Sequence, residues 1–218
     1  MSPSPASGLR ARQRHLFAGH IAGAGTAEGT RLVLGCWIDT PHGPFADVMV
    51  EDAGGRRILL APDGWVADFV ASTYTFDEVR IVPVSVTRTG TGRGSQWSVE
   101  AGPLSWRFEL GTRSPLGHLL RLVPPRLGRT LSVARVSDLV AARVMPGVRT
   151  LGRAGDGRTE WYAARDLHRV RRSAVTWDGA DLGAMREMTP SPRFGFSSTP
   201  REPSVTALTS TVRVDRVG

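Results

Sequence analysis

Lysine is missing altogether: all 28 Lys+Arg positions of the 218-residue chain are arginine. That single absence removes several activities. A P-loop needs a lysine on the nucleotide phosphates, a protein kinase needs its strand lysine, and a pyridoxal phosphate enzyme needs a lysine for its Schiff base. Cysteine occurs once, as Cys36, which excludes an internal disulfide and any cysteine-cluster zinc site. No stretch reaches the ~18 apolar residues of a membrane-crossing helix. The N-terminal MSPSPASGLRARQRHLF lacks the apolar region of a secretory signal. The resulting expectation is a cytoplasmic protein without a membrane span, residues 1–14 forming a flexible tail and 15–218 a single β-rich domain.

What is present is mostly β-sheet vocabulary. Hydrophobic residues make up 40% of the chain, enough for a real core, and 25 Gly with 15 Pro supply many turns. HLFAGHIAGAG, RLVLGCWID, FADVMVE and RRILLAP read as strands separated by the turn segments GTAEG, TPHG and DAGG. PDGWVADFVAST predicts a helix with Asp63 as N-cap and Trp65, Val66, Phe69 and Val70 on one face. FDEVRIVPVSVTR returns to strand, TGTGRG is a loop, and SQWSVEAG and LSWRFELG follow. In the latter, Leu104, Trp106, Phe108 and Leu110 alternate with Ser105, Arg107 and Glu109.

SPLGHLLRLVPP carries a serine cap and Pro115 at the first helical position, and SVARVSDLVAARVMPG suggests a further helix. VRTLGRA and RTEWYAARDLHRV form an expected hairpin, with SAVTWDG as another strand ending in an Asp-Gly turn. After the loop TPSPRFGFSSTPREP comes a terminal strand, SVTALTSTVRV, with Leu208, Val212 and Val214 on its core face. The expected fold is α+β and β-rich, an antiparallel curved sheet or barrel with two or three flanking helices. The late terminal strand closes it and hides its edges.

Chemistry concentrates in GRTEWYAARDLHRV, Gly157 to Val170. In an unbroken strand Glu160, Tyr162, Asp166 and His168 share one face at ~7 Å between alternate residues. They are the candidate ligand-binding residues, and a histidine beside a carboxylate can serve as a base. The competing assignment makes Trp161 and Leu167 the core face and leaves the acids in water. A bulge near Arg165 would alter both. Asp39, His42 and Asp47 around TPHGPFAD form a looser cluster that a turn explains as well. GAGTAEG, Gly23 to Gly29, lacks the GxGxxG spacing and a following helix, so it reads as a turn and not a dinucleotide loop. Five histidines contain no HExxH, and the sequence indicates no metal site, names no cofactor and fixes no oligomeric state.

The net charge of +8, with pI near 11.2, favours anionic partners in general. The arginines are scattered, densest at Arg10, Arg12 and Arg14 and at Arg165, Arg169, Arg171 and Arg172. The six tryptophans are not interleaved with these groups, which argues for core packing over base stacking.

The blocks FADVMVE, LLAP, TYTFDEV, GRTEWYAARDLH and FGFSSTP resemble an uncharacterised protein family of actinobacteria. The resemblance spans most of the chain after the tail. It implies a bacterial, cytoplasmic setting and no catalytic residues. Together these readings lead to a barrel-like domain that binds a small or amphipathic molecule in its interior. The alternatives are an enzyme using acid/base residues of 160–168 and an arginine-rich binder of nucleic acid or another polyanion.

Overall fold

The structure, a computed structural model, describes residues 14–122, 151–154, 158–195 and 199–214. Its first four strands are β1 (Arg14–Thr26), β2 (Arg31–Asp39), β3 (Phe45–Glu51) and β4 (Arg57–Ala61). They form an antiparallel meander, with β1 and β2 joined through the GTAEG turn. Helix α1 (Gly64–Ala71) starts where expected: the Asp63 carboxylate accepts the Val66 amide at 2.8 Å, satisfying one of the free N–H groups of the first turn. The helix carries the chain across to β5 (Glu78–Ile81), which pairs with β4 in parallel.

After Val82-Pro83 the chain runs into β6 (Val84–Thr89), β7 (Gln96–Ala101) and β8 (Leu104–Arg113). Helix α2 (Pro115–Leu120) follows, capped by the Ser114 hydroxyl oxygen, which accepts the Gly117 amide at 2.9 Å. Later come β9 (Leu151–Ala154), β10 (Arg158–Trp177), the two-residue β11 (Ala180–Asp181) and β12 (Met185–Arg186), and β13 (Ser204–Val214). The expected helix over SVARVSDLVAARVMPG and the tail up to residue 13 lie outside the described residues. Among the described residues, no helix is long and apolar enough to cross a membrane.

One sheet holds all the strands of the described residues, in the order β5-β4-β3-β2-β1-β13-β10-β8-β7-β6, with β9, β11 and β12 attached at its side. It is strongly curled, a half-barrel whose two outermost strands, β5 and β6, are consecutive in the chain. The terminal strand β13 does not lie at a margin. It sits mid-sheet between β1 and β10, antiparallel to both.

The curl produces two apolar layers. Inside it, Trp97, Trp106 and Phe108 of β7 and β8 face small side chains, Ala22 and Ala24 of β1, and the aliphatic stripe Val48 and Val50 of β3. Pairing large groups with small ones fills the interior at close-packed density. Outside it, Val66 and Val70 of α1 and the segment holding Met188 and Phe194 cover Phe17, Met49 and Leu208. Strands between the layers are buried on both faces, which is why FADVMVE shows no exposed positions while β8 alternates cleanly. Cys36 is a buried thiol of the inner layer, its pKa raised by burial.

A buried ion cluster fastens the outer segment. Glu51, fully buried, takes Arg31 at 3.1 Å and Arg193 at 2.8 Å, and also accepts the Arg193 amide at 2.7 Å. Arg31 in turn donates to the Pro190 carbonyl at 3.2 Å. The Arg31–Pro190 and Glu51–Arg193 bonds tie residues 190–193 to the sheet, while the Arg31–Glu51 pair joins β2 to β3 beneath them.

Candidate functional site

The interior packing does not extend to the ends of the curl. At one end it leaves a pocket of about 470 Å³. Its walls come from inward positions of six strands, and the alternation of each strand fixes which residue arrives there. His20 continues the inward stripe of Ala22 and Ala24 on β1, and Arg88 continues that of Val84 and Val86 on β6. Trp97 and Leu110 supply the apolar wall from β7 and β8, with Val205 from β13.

β10 reaches the pocket only because it is bulged. Its pairing with β13 slips between Ala164 and Asp166, leaving Arg165 as the extra residue. Before the bulge Tyr162 faces outward, buried in the layer under α1, its hydroxyl 2.7 Å from that of Tyr74. After the bulge Asp166 and His168 face inward and line the pocket. The four sequence candidates therefore do not share a face: Asp166 and His168 meet, and Tyr162 is on the opposite side of the sheet. Glu160 pairs in register with Val212, on the Tyr162 side of the bulge. Trp161 is fully buried and Leu167 buried, as the core assignment required, but Asp166 is not left in water.

Arg113 claims it. Its guanidinium grips the Asp166 carboxylate in a two-pronged arrangement, Nε to Oδ1 at 2.7 Å and Nη2 to Oδ2 at 3.0 Å. The Leu167 amide adds a third bond at 2.9 Å. Partial burial works against the charge, yet the Arg113 bonds, the Leu167 amide and nearby His168 hold the Asp166 carboxyl below the usual range. His168 Nε2 stands 3.6 Å from Asp166 Oδ2 and its Nδ1 3.4 Å from the Gly111 carbonyl. Helix α2 fixes this group from behind. The Ser114 amide donates to the Leu167 carbonyl at 2.9 Å, and a Cβ on Gly117 would stand 2.5 Å from that same oxygen, so only glycine lets the helix sit there.

The opposite wall is cationic. The Arg88 guanidinium lies 5.0 Å over the Trp97 ring, and among the described residues no carboxylate pairs with it. His20 meets Trp97 edge-on at 5.4 Å, and its Nδ1 is buried without a hydrogen-bond partner among the described residues. Burial first, then Arg88 and Arg165, pull its pKa down to about 4, so the ring is neutral near pH 7. The loop between β6 and β7 forms the rim, with Gly90, Thr91, Gly92 and Ser95 on the pocket.

His20, Arg88, Trp97 and Arg113 were absent from the sequence candidates. A signal existed for two of them: a histidine and an arginine each extend an apolar stripe, where a charge or imidazole has no packing reason to be. The looser cluster disperses. His42 pairs with Asp63 at 3.3 Å and stacks on Trp65 at 4.1 Å, while Asp47 is buried behind α1. No group of three potential metal ligands occurs among the described residues.

No family model matches the chain, and no curated protein matches it. Among solved structures it is similar to a proposed AttH from Nitrosomonas europaea, with 12% identity and a TM-score of 0.29. That alignment covers 93% of this chain and 39% of the other, so the chain spans about two-fifths of its length.

Proposed function

We propose that this half-barrel binds a small amphipathic anion in the pocket between Arg88 and His168. The observation that carries the reading is Arg88, a guanidinium placed on a pocket wall and stacked on an aromatic ring, with no carboxylate partner among the described residues. Arg113 cannot play that part, because Asp166 already neutralises it. Beside Arg88, Trp97, Leu110 and Val205 offer apolar surface for the rest of the molecule. A few placed polar groups on a mainly apolar wall is the usual composition of small-molecule sites.

Asp166 and His168 then orient the site and do not run acid/base chemistry. A carboxylate held by three donors and below its usual pKa is a weak proton acceptor near pH 7. The test is isothermal titration calorimetry with short alkyl and aryl anions, against the matching alcohols. Saturable one-to-one binding of anions, lost in Arg88→Gln and retained in Arg165→Gln, supports the reading. Equal binding of the alcohols, or an unaffected Arg88→Gln variant, refutes it.

A further inference from the structure

The rim of the pocket is a glycine-rich loop. In the loop Thr89-Gly90-Thr91-Gly92-Arg93-Gly94-Ser95 the glycines alternate with other residues. Gly90, Gly92 and Gly94 have φ of 78°, 63° and 85°, and Thr91 and Arg93 between them do not enter the positive region. A backbone that alternates in hand turns successive N–H groups toward one side, and such concavities bind anions. Two of the loop's amides are used internally: Gly94 donates to the Leu110 carbonyl at 2.8 Å, and Ser95 to that of Gly92 at 3.2 Å. The amides of Thr91, Gly92 and Arg93 have no hydrogen-bond acceptor among the described residues.

Two of these amides, those of Thr91 and Gly92, belong to residues at the mouth of the cavity, whose wall carries a guanidinium with no carboxylate partner among the described residues. We propose that the anionic group taken by this pocket is a phosphoryl group on an apolar stem, its three terminal oxygens held by the Thr91 and Gly92 amides and Arg88. This rests on the amphipathic-anion reading and narrows it. A carboxylate offers two oxygens in a plane, whereas a phosphoryl group offers three, arranged as a tripod, and carries −1.5 to −2 charge near neutral pH. The positive φ of Gly90, Gly92 and Gly94 is a conformation that L side chains rarely adopt, so the glycines are what hold this backbone.

The experiment uses the full chain and four probes near neutral pH: hexyl phosphate, hexyl sulfate, hexanoate and inorganic phosphate. Sulfate shares the tripod with a single charge, and hexanoate shares the single charge without the tripod, so shape and charge separate. Because a hydrogen bond to a charged group contributes enough for about a tenfold change in Kd, hexyl phosphate and hexyl sulfate should each bind at least about tenfold tighter than hexanoate. Thr91→Pro, which deletes one amide N–H in an exposed loop, should weaken hexyl phosphate and hexyl sulfate about tenfold and so erase that preference. Circular dichroism melts of the variant check that it folds, and the comparison of probes on the unaltered protein stands without it.

Hexanoate binding as tightly as both tripods overturns the phosphoryl proposal and leaves the amphipathic-anion reading standing. No binding of any hexyl probe overturns both. Inorganic phosphate binding as tightly as hexyl phosphate overturns the apolar stem.

Discussion

Replacing Asp47 with asparagine should abolish a large part of the pH dependence of folding. Asp47 lies on β3 with 3% of its surface exposed, behind α1, and its recognisable charge-stabilising partner is the Trp37 side chain. Burial pushes its pKa from 3.8 up to about 7, the Trp37 hydrogen bond only partly opposing it. Below pH 4 the carboxyl is protonated in folded and unfolded chains alike, and the residue contributes no pH dependence. Between the two values the folded state keeps a proton that the unfolded state has lost, so stability falls as pH rises. Above about pH 7 the full cost is present. At 1.36 kcal/mol per unit, the span corresponds to about 4 kcal/mol. Asparagine has the same shape and keeps a carbonyl for the indole, and any fixed cost of its amide is the same at every pH. Urea denaturation of both proteins, from pH 4 to 8, should show the difference moving in favour of Asp47→Asn by about 4 kcal/mol. A difference that stays constant within 1 kcal/mol would mean that the carboxylate is solvated or paired when charged, and the argument would fail.

Trp161→Ala should cost about 3–5 kcal/mol in the same assay, because the indole is fully buried; a loss below 1 kcal/mol would show that β10 is not packed there as described. Truncation at Pro203 removes a strand hydrogen-bonded on both sides, so cooperative thermal unfolding should vanish. A truncated chain that melts like the parent would remove β13 from the sheet.

Much of this fold is readable from local pattern. RLVLGCWID, FADVMVE and SVTALTSTVRV match β2, β3 and β13 to the residue, and Asp63 and Ser114 mark their helices by side-chain capping, a property of the neighbouring residues alone. What escaped is set by distant partners. SAVTWDG reads as a separate strand because the charged run Arg169-Val-Arg-Arg interrupts the pattern. Its Ser173–Trp177 are in fact the last five residues of the 20-residue β10, which pairs with β9 near its start and with β8 toward its end. FDEVRIVPVSVTR reads as one strand, but Pro83 and the change of partner divide it in two.

The candidate site was half legible for a similar reason. Period-two alternation groups Tyr162 with Asp166, and one extra residue at Arg165 reverses everything after it. The forces that hold the bulge, Arg113 on Asp166 and Ser114 on Leu167, come from more than fifty residues away. Asp47 was equally opaque. A carboxylate beside a Pro-Gly turn looks wet, and only the position of α1 makes it dry.

The two margins of the sheet, β5 and β6, are joined by Val82-Pro83 alone. A rolled sheet of this kind has a seam, and here the seam is stitched by the backbone itself. Flattening the sheet would require its opposite margins to separate while remaining two residues apart in the chain, which the ~3.5 Å reach of each residue forbids. The curvature is therefore a property of connectivity as much as of packing. A strand from another molecule seeking either exposed margin meets the other margin close beside it, a steric guard against edge-to-edge growth.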